Sequence, residues 1–385
     1  MKVSQVKDIL QSATTEILGE SVVVNEDLSN VVDIGRAIEN SDGGFDNYVR
    51  KLPDHIGRVI TVERIKPSRA PNIMRDGWEY GATLEKIRIE MPDAEENESW
   101  KLTDRASYDT QIFYAPKVHV KFWSDEITFE IPMSFTEKQI RSSFSNATQL
   151  NAFYSAIETA ILNAMTKNLD ALIMRTLNNL TAETLYSEYP TAQYSASSGV
   201  RAINLLYRYN DEYNKSLTAA ACWYDPDFIR FAVYTMGMTL DYMEDWSTLF
   251  NIGETEKFTP ADRRHFVLLS KFKRAAGVFL YDASGQFRTE DITLPESETV
   301  NYWQGSGTSY TETDKINVKT AQNHTVSASG IIGIAFDNDA AMVCNTDRRV
   351  KTDINNKAEF WTERHKYDCG YFNDFDENFV VFFVA

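Results

Sequence analysis

From Leu150 to Leu180 the chain runs without a glycine or a proline, and Phe153, Ile157, Ile161, Ala164, Leu169, Leu172, Leu177 and Leu180 recur at near-helical spacing. That spacing predicts a helix of about 31 residues, about 46 Å long at 1.5 Å per residue. A helix of this length crosses a whole domain, so the other elements must be laid along it. Its opposite face is Asn, Thr and Ser with few charges. Across residues 134–181, Lys138, Arg141, Lys167 and Arg175 oppose Glu137, Glu158 and Asp170, while the whole chain carries −17. The helix is a nearly neutral strip on an acidic protein.

Ahead of it the signal is β. "GRVITVERI" and "ATLEKIRIEM" are rich in branched residues. "KVHVKFW" places Val118, Val120 and Phe122 on one side and Lys117, His119 and Lys121 on the other; "EITFEIP" repeats the alternation with Ile127, Phe129 and Ile131. Between them, "PDAEENESWKLTDRASYD" is acidic and poor in core formers. A long two-stranded excursion projecting from the body fits this better than a compact domain, because it lacks the apolar area to stand alone.

The N-terminal segment reads as two short helices. Val3, Val6, Leu10, Ala13 and Ile17 share one face, and "NEDLSNVVDIGRAIEN" follows, ended by "SDGG". Both are too short to be stable alone and need something to lie against. Beyond the long helix, "RAINLLYRYNDEYNKS" and "DPDFIRFAVYTMGMTLDYMEDWSTLF" read as helices, the second capped by Asp225 with Pro226 in its first turn. "GVFLYDAS" and "GIIGIAFDND" read as buried strands and "YWQGSGTSYTETD" as a surface loop. "RRVKTDINN", "AEFWTERHKYDCGYF" and "NFVVFFVA" return to strand; the last does not alternate, so both its faces should be covered, one of them by the long helix. The class is α+β.

Charge and composition narrow the function. A net −17 repels nucleic acid and anionic membranes from the bulk surface. Aromatics reach 12%, which favours large cores or large interfaces. Cys222, Cys344 and Cys369 are odd in number and far apart, which suits a reducing compartment. "MKVSQVKDIL" lacks the apolar stretch of a signal peptide, and no apolar run is long enough for a bilayer. The expectation is a soluble protein made in the cytoplasm.

No catalytic constellation emerges. There is no Gly-Lys dipeptide for a phosphate loop, "QGSGTS" lacks the nucleophile-elbow pattern, and five single histidines form no metal-binding pair. His365 and Cys369 in "HKYDC" read as a packed pair rather than metal ligands. "DNDAA" at Asp337–Ala341 and "NDFDEN" at Asn373–Asn378 resemble calcium loops but lack the glycine and the closing glutamate, so both read as turns. The basic cluster Arg263, Arg264, Lys271, Lys273 and Arg274 reads as a solvated or subunit-facing surface. No catalytic residue, cofactor or metal is expected.

The order of elements, carried by "EITFEIPMSFTEKQIRSSFSN" running into the long helix and by the closing block "GIIGIAFDNDAAMVCNTDRRVKTDINNKAEFWTERHKYDCGYFNDFDENFVVFFVA", resembles the major capsid proteins of tailed double-stranded DNA bacteriophages. The resemblance implies the Hong Kong 97-type shell fold: an N-terminal arm (1–57), an extended loop with flanking strands (58–133), a peripheral domain with the spine helix (134–200), an axial domain (201–344) and return strands of the peripheral domain (345–385). It implies homo-oligomeric pentamers and hexamers closing an icosahedral shell around the genome, within a virion assembled in the host cytoplasm. Packaged DNA would be touched only weakly and without specificity, and no membrane is involved. Trp78, Tyr80, Arg88, Trp100 and Arg105, on or near the projecting loop, are the expected inter-subunit contacts. No long charged helical region of the kind that serves as a fused scaffold precedes the arm, so a separate scaffolding protein, with a portal, and an unprocessed chain are expected. Neither a lysine–asparagine cross-link nor an inserted immunoglobulin-like domain can be assigned. Two other readings stand beside this one: an encapsulin-like bacterial compartment shell, and a soluble enzyme or carbohydrate-binding protein with aromatics lining a cleft.

Overall fold

The computed structural model describes residues 7–8, 10–11, 14–15, 23–25, 29–39, 70–76, 84–92, 94–108, 111, 113–136, 138, 147–280, 294–304 and 313–385. In chain order the elements are α1 (Val31–Glu39), β1 (Met74–Asp76), β2 (Leu84–Ile89), β3 (Val118–Trp123), β4 (Glu126–Thr136), α2 (Ala147–Glu188), β5 (Ala202–Asn204), α3 (Leu205–Glu212), α4 (Pro226–Tyr242), β6 (Arg264–Leu269), α5 (Ser270–Phe279) and β7 (Glu298–Val300). They continue with β8 (Ile316–Lys319), β9 (Thr325–Ala328), β10 (Ile331–Asp337), β11 (Ala341–Asn355), β12 (Phe360–Asn373) and β13 (Phe379–Phe383).

Helix α2 is the long helix read from the sequence, and it is longer than expected. It has 42 residues, which at 1.5 Å per residue is about 63 Å. Pro190, just beyond it, cannot continue a helix. Ile157, Ile161, Met165, Leu169, Leu172 and Leu177 form its buried stripe. From Thr176 to Leu185 every residue but Asn179 is buried, so this end is enclosed on nearly all sides. Thr176 and Thr181 satisfy their hydroxyls on the carbonyls of Leu172 and Leu177, four residues back.

Two sheets flank the helix. The first has the order β1-β11-β12-β4, with β11, β12 and β4 antiparallel and β1 running parallel to β11. Strand β12 alternates from Phe360 to Cys369: Trp361, Glu363, His365, Tyr367 and Cys369 are buried and the residues between them are not. His365 and Cys369 share that buried face, with His365 Nε2 3.1 Å from Glu363 Oε2. The second sheet has the order β5-β13-β10-β6-β7, in which β10 and β13 are buried at every position. Continuous apolar runs such as "FVVFF" are what strands covered on both faces require.

Strand β13 therefore departs from the grouping read in the sequence. It follows β11 and β12 in the chain but pairs with β10 and β5, in the other sheet. The reason is its composition: β11 and β12 carry charged side chains along their length, whereas β13 has none and fits only a two-sided interior. It packs on α2 as anticipated. Val384 is buried and Ala385 half-buried, with Val384 N donating to Gly330 O at 2.9 Å.

Two further readings change. "GVFLYDAS" is not a strand where it is described: Gly277–Phe279 close α5, and Val278 is exposed. The buried strand is the preceding "RHFVLL" of β6, while Phe272 and Ala276, one turn apart, give α5 its inner face. Trp303, assigned to a surface loop, is fully buried and donates from Nε1 to Ile331 O at 2.9 Å. "GRVITVERI" lies outside the described residues. Asp225 caps α4 by accepting from Asp227 N and Phe228 N, with Pro226 in the first turn. Of the arm, Leu10, Val31, Ile34 and Ile38 are buried and join the chain's own core.

Candidate subunit interface

Strands β2 and β3 form a separate antiparallel pair, with Lys86 opposite Lys121, Ile87 opposite Val120 and Ile89 opposite Val118. Directly opposed residues share a face, so alternation divides this hairpin into two unlike surfaces. One carries Leu84, Lys86, Arg88, His119, Lys121 and Trp123; the other carries Ile87, Ile89, Val118, Val120 and Phe122, with Glu85 beside Phe122.

The cationic face is seated on the body. Lys86 Nζ lies 2.6 Å from Asp374 Oδ2 and 2.5 Å from Glu377 Oε1. Lys121 Nζ lies 3.0 Å from Asp374 Oδ1 and 2.6 Å from Asp376 Oδ2. Lys257 reaches Glu377 Oε1 at 2.7 Å, and Trp123 donates to Asn373 O at 3.2 Å while its ring packs on Phe372. The acids come from the "NDFDEN" turn between β12 and β13. Asp374 accepts the Asp376 amide at 3.1 Å, and Asp337 likewise accepts the Asp339 amide at 2.9 Å in the turn after β10. Both calcium-like motifs are thus turns, and among the described residues no group of three acids, cysteines or histidines could hold a metal ion.

The seat's electrostatics are self-consistent. Burial pushes the Asp374 carboxyl up, but hydrogen bonds and charge from Lys86 and Lys121 outweigh it and hold it below the ordinary aspartate value. Burial likewise disfavours the Lys86 ammonium, yet Asp374 and Glu377 prevail and raise its pKa. With both signs desolvated together, this cluster fixes the hairpin's direction more than it adds net stability.

The opposite face is largely apolar and exposed, with Glu85 its charged member. Ile87, Ile89, Val118, Val120 and Phe122 are between 45% and 63% exposed. At the tip Trp100 is 95% and Phe113 86% exposed. An exposed apolar surface of this kind is a candidate contact site. Between hairpin and body lies a cleft of about 540 Å³, walled by Arg88, Met91, Trp246, Phe258, Arg263 and Glu377 among others.

Of the residues anticipated as contacts, Trp100 ends a single 3-10 turn in open solvent. Arg105 is exposed on a left-handed turn with φ 67°. Arg88 projects from the inner face, with Nη1 3.9 Å from Asp376 Oδ2. Trp78 and Tyr80 lie outside the described residues. The structure adds the apolar stripe of β2 and β3, whose alternation was visible in "KVHVKFW". It also adds the Lys86–Lys121–Asp374–Glu377 seat, which no local pattern signals because its members are more than 250 residues apart.

A family model described as Phi29-like phage major capsid protein matches residues 6–383. No curated protein matches the sequence. Among solved structures, the chain is similar to the capsid structure of Staphylococcus phage Andhra at 9% identity, covering 84% of this chain and 86% of that one with a TM-score of 0.47. It is similar to the capsid structure of cyanophage P-SCSP1u at 10% identity, covering 84% and 91%, TM-score 0.45. A chain of Microbacterium phage Oxtober96 aligns at 13% identity, covering 84% and 94%, TM-score 0.43.

Proposed function

This chain belongs to the family of Phi29-like phage major capsid proteins, and from that premise we propose how its surfaces build a shell. A major capsid protein acts by assembling with copies of itself, and its role is structural. The subunits gather as pentamers and hexamers that close an icosahedral shell around double-stranded DNA. The four-stranded sheet with α2 forms the peripheral part of the subunit. The five-stranded sheet with α3, α4 and α5 forms the axial part, to which β13 belongs by its pairing.

The observation that carries this reading is the two-faced hairpin. Its inner face is ion-paired to the Asp374–Glu377 turn, so the outer face is presented in one fixed direction. That face, Ile87, Ile89, Val118, Val120 and Phe122 with Trp100 and Arg105 beyond, is the inter-subunit contact. Arg88 serves the same contact from behind by holding the hairpin on its seat. Fully burying an exposed Val, Ile or Phe contributes about 1.5–3 kcal/mol; these apolar side chains start about half covered and contribute correspondingly less each, but the contact recurs in every subunit. A separate scaffolding protein and a portal complete assembly in the host cytoplasm. The acidic surface limits packaged DNA to weak, non-specific contact.

The test is sedimentation and electron microscopy of the purified protein, with and without its scaffold. Oligomers or closed shells are expected; a monodisperse monomer at high concentration under both conditions would sink the reading.

A further inference from the structure

We propose that His265 is a pH-operated clasp that fixes β1, the strand from which the chain proceeds to the hairpin. Strand β1 is three residues long and, among the described residues, lies at an edge of its sheet and pairs with β11 alone. It needs other attachments: Arg75 binds the turn after β10 directly, at Asn338 O and Asp339, and the segment just ahead of β1 is held through Glu298 by one imidazole.

His265 Nδ1, on β6, lies 2.6 Å from Glu298 Oε1 on β7. Its Nε2 lies 3.2 Å from Asn338 Oδ1 in the turn after β10, and the ring stacks on Phe336. The other Glu298 oxygen accepts the backbone amide of Asn72 at 3.0 Å, two residues ahead of β1. Both ring nitrogens thus face acceptors. A neutral imidazole donates from only one nitrogen, and the imidazolium from both. With the Asn338 oxygen toward the ring, both contacts are hydrogen bonds only when His265 is protonated; the neutral ring keeps one of the two.

The surrounding charges leave that role to His265. Asp337 and Asp339 face it from the turn after β10; Arg263 pairs with both, and Arg75 of β1 donates to Asp339 at 2.6 Å. Arg264 is engaged by Glu244, and Lys273 of α5 by the Ser297 carbonyl. Glu298 is the carboxylate in contact with the ring. Its hydrogen bond, outweighing burial, raises the His265 pKa. Burial of Glu298 is in turn outweighed by His265 and the Asn72 amide, which keep it below the ordinary glutamate value. The sign follows: the clasp is complete below the ordinary histidine value of 6.5 and weakens as pH rises through the higher folded-state value, when one hydrogen bond and the charge on the ring beside Glu298 are lost. On the acid side Glu298 keeps its charge to below its ordinary value of 4.5.

The inference concerns one chain and does not depend on how shells assemble. Hydrogen exchange of the full-length protein, corrected for intrinsic rates, is followed from about pH 5.5 to about pH 9. The amides of residues 72–76 should lose protection several-fold across the titration while those of β12 do not. His265→Gln should be equally unprotected at every pH. Exchange at the imidazole C2 position, measured on the unmutated protein, should titrate with a midpoint above that of free histidine. A midpoint at or below the free value, a flat wild-type profile, or the same step in His265→Gln would each overturn the proposal.

Discussion

Asp374 has 1% of its side chain exposed and stands between the ammonium groups of Lys86 and Lys121. Removing the acid leaves Lys86 paired with Glu377 alone and Lys121 with Asp376 alone. Breaking a buried pair outright costs about 3–5 kcal/mol; with these partners left in place Asp374→Ala should cost less than that, lower the urea midpoint and increase hydrogen exchange in β2 and β3 above all. The pH dependence has a definite sign. Because the carboxyl is held below its ordinary value of 3.8, its contribution is present above that pH and is lost as pH falls through the folded-state value. On acidification the hairpin should let go before the body unfolds, and exchange in residues 84–89 and 118–123 reports it. Gly330 gives a second test. Its φ is +78°, and a Cβ there would stand 2.1 Å from Val384 O. The left-handed backbone alone costs a substituted residue about 1–2 kcal/mol, and the clash adds to it. Gly330→Ala should therefore destabilise the chain by more than that in urea unfolding and loosen the end of β13. Neither residue was legible beforehand. "NDFDEN" reads as a turn and is one, but that it seats a hairpin depends on lysines far away in the chain.

At the scale of elements the sequence was most informative where one period runs without interruption. Leu150–Leu180 announced α2 because nothing in it breaks a helix. Its last turns were missed because "TAETLYSE" buries Thr, Ala and Glu, which carry no hydrophobic period; enclosure by two sheets, not amphipathicity, shapes that end. The same enclosure sets the cost of truncation. Leu177 is fully buried, and Leu→Ala at such a site costs about 2–5 kcal/mol depending on how far the cavity collapses. Leu177→Ala should fall in that range by urea denaturation, whereas Ala160, exposed on the same helix, should tolerate serine within about 0.5 kcal/mol. Alternation made β3, β4 and β12 readable in the same way. Strand β13 was readable as a strand covered on both faces, but not as a member of the second sheet. An all-apolar run says that both faces are covered without saying by what. The strand misread in "GVFLYDAS" shows the matching limit: a short apolar run suits helix and strand alike, and the Phe272–Ala276 spacing that decides it lies just upstream.

For the whole molecule, the question is how a chain of net charge −17 assembles with copies of itself. Like charges resist close approach, so the contacts must lie where charge is low and apolar area is high. The outer face of the hairpin comes near both conditions, and the inner face explains how: Lys86 and Lys121 are spent on Asp374, Asp376 and Glu377, leaving the outward side to Ile, Val and Phe with Glu85 its charged member. Val120, 45% exposed and opposite Ile87 in the pair, is the informative position. In the lone subunit Val120→Asp places a carboxylate in solvent, where such changes stay within about 0.5 kcal/mol, so urea unfolding should match the unmutated chain. In the proposed subunit contact the same carboxylate would be buried against an apolar neighbour, at a cost of several kcal/mol for every copy of the contact. The expected outcome is a folded subunit that remains at the top of a sedimentation gradient under conditions where the unmutated protein forms shells. Val120→Ile, which keeps the face apolar, should assemble normally. Shells of Val120→Asp in wild-type yield would show that this face stays in solvent and that subunits meet elsewhere.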